Sequence, residues 1–163
     1  LKLNIGCYMT MFHRGWTNLD THDLRGFAAS FGYKYEQCDA RNGLPYPTGA
    51  VDRIYCSHML EHLTYAEGVS FLRECRRVIR PDGAMRIIVP DAEILSLLYS
   101  EESKGNDPAF TVPRLGLNLS DFDEVNGGSE SSPTPAGKLW AVLHEGHASC
   151  YYSETLGLAL KEA

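Results

Sequence analysis

The chain lacks long apolar runs, paired cysteines and basic clusters, and each absence removes a class of protein. No stretch approaches the ~20 apolar residues that span a bilayer, and the start lacks the basic-then-apolar pattern of a secretory signal. No membrane partner is expected. Leu1 opens the sequence inside an apolar run and without an initiator methionine, which reads as a trimmed or partial chain. The five cysteines, Cys7, Cys38, Cys56, Cys75 and Cys150, stand singly with no C-x-x-C pair. Neither a disulfide framework nor a thiolate zinc site is expected, and reduced thiols suit a cytoplasmic location. Lysine and arginine number 15 against 21 acidic residues, a net charge of −6, with no basic run to follow a phosphate backbone. Nucleic acid is therefore not an expected partner. With 163 residues, residues 1–163 form one domain large enough to fold without staples.

What is present alternates. Leu1, Leu3 and Ile5 read as a strand ending at Gly6; Trp16 to Leu19 as a second ending at Asp20; Asp23 to Phe31 as a short helix stopped by Gly32. Tyr33 to Cys38 gives a third strand ending at Asp39. After the turn-rich stretch Asn42 to Gly49, a fourth runs through Val51, Ile54, Tyr55 and Cys56. Thr64-Tyr65-Ala66-Glu67 has the form of a capping box, with Val69, Leu72, Cys75, Val78 and Ile79 at helical spacing behind it. Pro81 and Gly83 are expected to end that helix, Gly83 as a left-handed residue. Met85 to Val89 is the fifth strand, followed by a helix from Asp91 to about Lys104. Asn106 to Gly137, rich in glycine, serine and proline, reads as a loop or lid insertion. A last helix is expected to be capped by Ser153. Strands alternating with helices predict an α/β fold with a doubly wound, mostly parallel open sheet.

Ligands of such sheets bind beyond the carboxyl ends of the strands, where the strand order reverses. Gly6, Asp20, Asp39 and Ser57-His58 all fall there. A nucleoside cofactor needs a turn where backbone approaches it, an acceptor for two ribose hydroxyls and a group near the adenine amine. Gly6, Asp20 and Asp39 supply those in order, with Ala40 beside the ring and Ser57 and His58 beside the amino-acid part. Taken singly, each has a plainer reading as a turn, a solvated carboxylate or a cap.

Taken as a set they carry a resemblance. Asn4-Ile5-Gly6-Cys7, Gly15-Trp16-Thr17-Asn18-Leu19-Asp20, Asp39-Ala40-Arg41 with Leu44-Pro45-Tyr46, Val51 through Leu63, and Phe71 through Gly83 resemble the class I S-adenosylmethionine-dependent methyltransferases, in particular the methyltransferase type 11 group. The likeness covers about residues 1 to 91, and Gly146-His147 with Tyr151 to Leu156 is similar to a later motif of some members. It implies a Rossmann-like methyltransferase fold and methyl transfer from S-adenosylmethionine to a small-molecule acceptor. It also implies cofactor contacts from Asn4, Gly6, Cys7, Asp20, Thr21, Asp39, Ala40, Ser57 and His58, with no metal. Two departures stand out. Tyr8 occupies the place of the family's second glycine, so the first turn is expected to sit differently against the cofactor's amino-acid end. The family's last two strands are not expected in this sequence, so strand five is expected to present an edge, coverable by a second copy or a rearranged tail.

The sulfonium is already activated, so positioning and water exclusion carry the reaction and a general base is optional. His58 and His147 are the candidates for one; an equally open reading makes both simple hydrogen-bonding groups. Tyr8, Phe12, Trp16, Tyr151 and Tyr152 are either an acceptor pocket or core. Three rivals remain. His58-Met59-Leu60-Glu61-His62 spells the H-x-x-E-H of zinc hydrolases, with His144, Glu145 or His147 as third ligand, but it falls in a strand-to-helix turn where that motif needs a helix. A nicotinamide-dependent dehydrogenase would share the architecture, but G-x-G-x-x-G is missing. A non-catalytic S-adenosylmethionine-binding domain would keep the fold alone.

Overall fold

The computed structural model describes residues 1–91, 96, 97, 100 and 153–163. The strands are β1 (Lys2–Ile5), β2 (Thr17–Asp20), β3 (Lys34–Gln37), β4 (Val51–Ser57) and β5 (Ile79–Ile88), with helices α1 (Arg25–Phe31), α2 (Tyr65–Val78) and α3 (Ser153–Glu162). The strands lie in the order β3, β2, β1, β4, β5, and every neighbouring pair is parallel. The chain works outward from β1 to β3, then returns across β1 to lay down β4 and β5. The order reverses between β1 and β4, which makes their carboxyl ends the switch point.

Burial explains why these short segments become strands. All four residues of β2 and the last three of β1 are buried, as expected of parallel strands covered on both faces. Leu3, Ile5, Leu19, Val51, Ile54 and Cys56 meet Val69, Phe71, Leu72, Cys75 and Val78 of α2 in one core. The capping box that opens α2 is formed: Thr64 accepts from Glu67 N, and the Glu67 carboxylate accepts from Thr64 N. Ala159 of α3 is buried in the same core, and Arg73 of α2 donates to the Glu162 carbonyl. Near the other end of α2, Arg77 donates to Glu74 and to the carbonyls of Leu44 and Tyr46, while Glu74 accepts from Leu44 N. This lashes the 43–47 loop to the helix. The Arg77 guanidinium and Leu44 N together pull the Glu74 carboxyl from its ordinary 4.5 down to about 2.

The stop of α2 corrects the sequence expectation. The helix ends at Val78, and Ile79 is already extended and paired with Val51 as the first residue of β5. The register then jumps to Arg53 opposite Ala84, so Arg80, Pro81, Asp82 and Gly83 form an irregularity within β5 instead of a helix terminus. Pro81, without an N–H, is tolerated there, since among the described residues β5 pairs only with β4. Gly83 is not left-handed; a Cβ on it would lie 2.5 Å from Ile79 Cγ1 and 2.9 Å from the Arg80 carbonyl oxygen. Close packing requires this glycine, not helix capping. Gly32 does close α1 in the left-handed conformation, with φ of 69°.

Among the described residues no helix is long and apolar enough to cross a membrane. The expected helix from Asp91 to Lys104, for the most part, and the 106–137 insertion, His144 to His147 and Tyr151 with Tyr152 lie outside the described residues.

Candidate functional site

At the switch point the strand ends open into a cleft of about 1110 Å³. β1 delivers its first wall. Gly6, with φ of 73°, turns the chain so that its own N–H and that of Cys7 both donate to the Leu19 carbonyl. A Cβ at Gly6 would stand 2.6 Å from Met59 Cβ, so only glycine lets the β1 turn close against the turn after β4. Tyr8 follows with φ of 35°, a left-handed conformation that a tyrosine adopts under strain. That backbone would suit the glycine the resemblance leads one to expect.

β2 supplies Asp20, buried and almost fully engaged. Its Oδ2 accepts from Tyr8 N at 2.8 Å, and its Oδ1 accepts from His22 N at 3.0 Å and faces His22 Nδ1 at 2.8 Å. Burial pushes this carboxyl up, but the hydrogen bonds from His22 and Tyr8 outweigh it and hold it below its ordinary value. The His22 ring is 65% exposed and meets the Tyr8 ring edge-on. β3 leads to Asp39, which caps the short turn Ala40–Asn42 by accepting from Arg41 N and is gripped by the Arg41 guanidinium through Nε and Nη2. The Arg41 side chain holds its carboxyl below the usual range. Ala40 lies buried beside it.

β4 ends at Ser57, and His58 N still donates to the Ile88 carbonyl of β5. His58 then adopts φ of 51°, the second strained non-glycine residue of the rim. A single 3-10 turn, Leu60–His62, follows before α2, so His58, Glu61 and His62 lie in a strand-to-helix turn and not on an α-helix. Their geometry departs from the two-histidines-on-one-helix arrangement of an H-x-x-E-H zinc site. Within this turn His58 Nδ1 lies 3.2 Å from Glu61 Oε1.

Of the expected site residues, Gly6, Asp20, Thr21, Asp39, Ala40, Ser57 and His58 line the one cleft. Asn4 and Cys7 do not. Asn4 is buried behind the wall, where its amide donates to the Met11 carbonyl and to Asn18 Oδ1, bracing the loop that follows Tyr8. The Cys7 thiol is pushed up to about 12, first by burial and then by the charge of Asp20, and so stays protonated. His147 lies outside the described residues. Among the aromatic candidates Tyr8 lines the cleft, whereas Phe12 packs on Phe27, Tyr33 and Tyr35, and Trp16 packs on His13. The sequence reading missed His22 on Asp20 and the facing of Glu61 onto His58. The signals were present: each pair is separated by two or three residues just past a strand end.

Residues 10–87 match the family model described as a methyltransferase domain. Among solved structures, a S-adenosylmethionine-dependent methyltransferase of Archaeoglobus fulgidus aligns with a TM-score of 0.62 and 18% identity over 98% of this chain and 58% of its own. A protein of Pyrococcus horikoshii aligns with a TM-score of 0.52 and 21% identity over 61% of this chain and 53% of its own. The chain thus spans between half and three-fifths of the length of these relatives. A search of curated proteins found no match. Residues 10–87 are thus similar in sequence to methyltransferase domains, and the chain shares its fold with a S-adenosylmethionine-dependent methyltransferase.

Proposed function

We propose that the protein binds S-adenosylmethionine in this cleft and transfers its methyl group to a small-molecule acceptor. One observation carries the reading: Asp20 and Asp39, at the ends of adjacent parallel strands, line the same cleft on its β2 and β3 side. Carboxylates are acceptor-only, and the sugar hydroxyls and the adenine amine of this cofactor are the donors they would meet. The residues fit the group. Ile5, Leu19, Cys38, Ala40 and Leu63 give the cleft apolar walls, and the exposed His22 ring can turn off Asp20 Oδ1 to free an acceptor position for a hydroxyl.

Once bound, the cofactor supplies a methyl group whose bond passes from sulfur to the acceptor atom, with the old bonding pair staying on sulfur. The chain's part is to hold the two reactants in line, exclude water and receive a proton where the acceptor carries one. The acceptor is read as a small molecule because, among the described residues, the cleft lining carries no run of cations for a polyanion. The buried thiols of Cys7, Cys56 and Cys75 suit a reducing, cytoplasmic setting. Pairing of the β5 edge with a second copy belongs to the same proposal, and a monomer in sedimentation would remove it.

Calorimetric titration with S-adenosylmethionine tests the reading directly. Binding is expected in the wild type and loss of it in Asp20→Ala with Asp39→Ala; no binding by a folded wild type would overturn it. Binding without methyl transfer across an acceptor screen would leave the non-catalytic alternative.

A further inference from the structure

Glu61 stands apart from every other carboxylate near the cleft. It is 2% exposed, and among the described residues neither of its oxygens accepts a hydrogen bond. Burying a carboxylate without a donor is strongly unfavourable, so such a group persists where something needs its charge. The group that faces it is His58, whose Nδ1 lies 3.2 Å from Glu61 Oε1. The pair is built by the turn itself. β4 ends one residue earlier, His58 takes up a left-handed backbone conformation, and the 3-10 turn that follows brings the residue three positions on beneath the imidazole. His58 also lines the cleft with 31% of its side chain exposed, so the ring bridges a buried carboxylate and the space where reactants would meet.

We propose that Glu61 is a positioning residue for proton transfer: it keeps the ring proton of neutral His58 on Nδ1 and so presents a bare Nε2 to the cleft. The inference rests on the methyl-transfer reading. A carboxylate only accepts, so at 3.2 Å it favours the neutral tautomer with the hydrogen on Nδ1, which leaves Nε2 with its lone pair. As the acceptor forms its bond to the methyl carbon, its own O–H or N–H proton passes to Nε2. The imidazolium that results has its charge met by Glu61, and the proton leaves to solvent from the exposed side of the ring. The strained backbone at His58 is then the cost of aiming the ring in two directions.

The test is the tautomer of His58 in the full chain, read from ring nitrogen shifts of 15N-histidine-labelled protein at a pH where the ring is neutral. The expected wild-type signature is a protonated Nδ1 with a bare Nε2. In Glu61→Gln, whose amide can donate as well as accept, the Nε2–H form should rise several-fold; Glu61→Asp, which keeps an acceptor-only group, should retain the wild-type pattern. A wild-type ring protonated on Nε2 overturns the proposal, and so does an unchanged tautomer in folded Glu61→Gln. Should Glu61→Gln fail to fold, the wild-type and Glu61→Asp spectra still decide. Calorimetry on Glu61→Gln is expected to show cofactor affinity within about threefold of wild type, a difference well under the ~1.4 kcal/mol of a tenfold change. A large loss would assign Glu61 to binding and overturn its positioning role. Wild-type protein that binds no S-adenosylmethionine sinks the methyl-transfer reading instead, and the tautomer then reports separately on whether Glu61 sets the ring's proton.

Discussion

The two sides of the cleft hold their carboxylates in opposite ways. On the β2 and β3 side, Asp20 and Asp39 are supplied with donors from Tyr8, His22 and Arg41, and both lie below their ordinary pKa. On the β4 side, Glu61 is more deeply buried than either and, among the described residues, has the His58 ring facing it and no hydrogen-bond donor. A place at a strand tip therefore does not settle what a carboxylate does. The donors around it do: a well-supplied carboxylate is a fixed anion suited to holding hydroxyls, whereas an undersupplied one biases the neighbour that faces it.

The sharpest break of this contrast is His58→Ala, which removes the ring that faces Glu61. Methyl transfer is expected to fall about 100-fold with an acceptor that needs deprotonation, within the range for positioned acid–base groups, while calorimetry still detects the cofactor. An unchanged rate of S-adenosylhomocysteine formation would make the β4 side a spectator. Asp20→Ala attacks the other side. It removes a charged acceptor, and cofactor affinity should drop about thirtyfold, equivalent to ~2 kcal/mol, as read by calorimetry.

Smaller effects separate donor supply from cleft position. Glu74 is well supplied but lies away from the cleft, so Glu74→Gln should leave cofactor affinity unchanged and cost ~0.5 kcal/mol of stability at neutral pH, the scale of a solvated ion pair. Its folded-state value is depressed from 4.5 to about 2, so the unfolded chain binds more protons in that window. The wild type's advantage over Glu74→Gln should accordingly be full above pH 4.5 and fade toward about 2 in acid unfolding curves. Tyr8→Gly gives a change of similar size and opposite sign. Relief of left-handed strain of ~1 kcal/mol is partly offset by the greater chain entropy of glycine, leaving a gain of about 0.5 kcal/mol in a urea midpoint. A loss of stability there would mean that the Tyr8 ring on His22 outweighs the strain at its backbone.

Local pattern made much of the molecule legible. Alternation in Leu1 to Ile5, the capping box at Thr64 and the glycine after Phe31 each act over a few residues, and each appears where expected. Pro81 and Gly83 misled for the same reason. As local signals they spell the end of a helix, but the partner that explains them is β4, some thirty residues earlier in the chain. Asn4 and Cys7 show the same limit at the site, since position just past or within β1 could not tell which side chains face the cleft and which brace the turn behind it.

The sequence by itself determined the order of elements and the carboxylates at the strand ends, because strand periodicity, capping and turn chemistry are properties of neighbouring residues. His22 and Arg41 reach Asp20 and Asp39 from two residues away, but only the tertiary structure decided the distant donor of Asp20 and the burial of Glu61. Tyr8 comes to Asp20 across a turn from β1, and Glu61 comes to lie buried under His58 because β4, its following turn and α2 pack into one core. The Tyr8 contact and the burial of Glu61 depend on how strands and helix are placed side by side, a long-range arrangement that no short stretch of residues encodes.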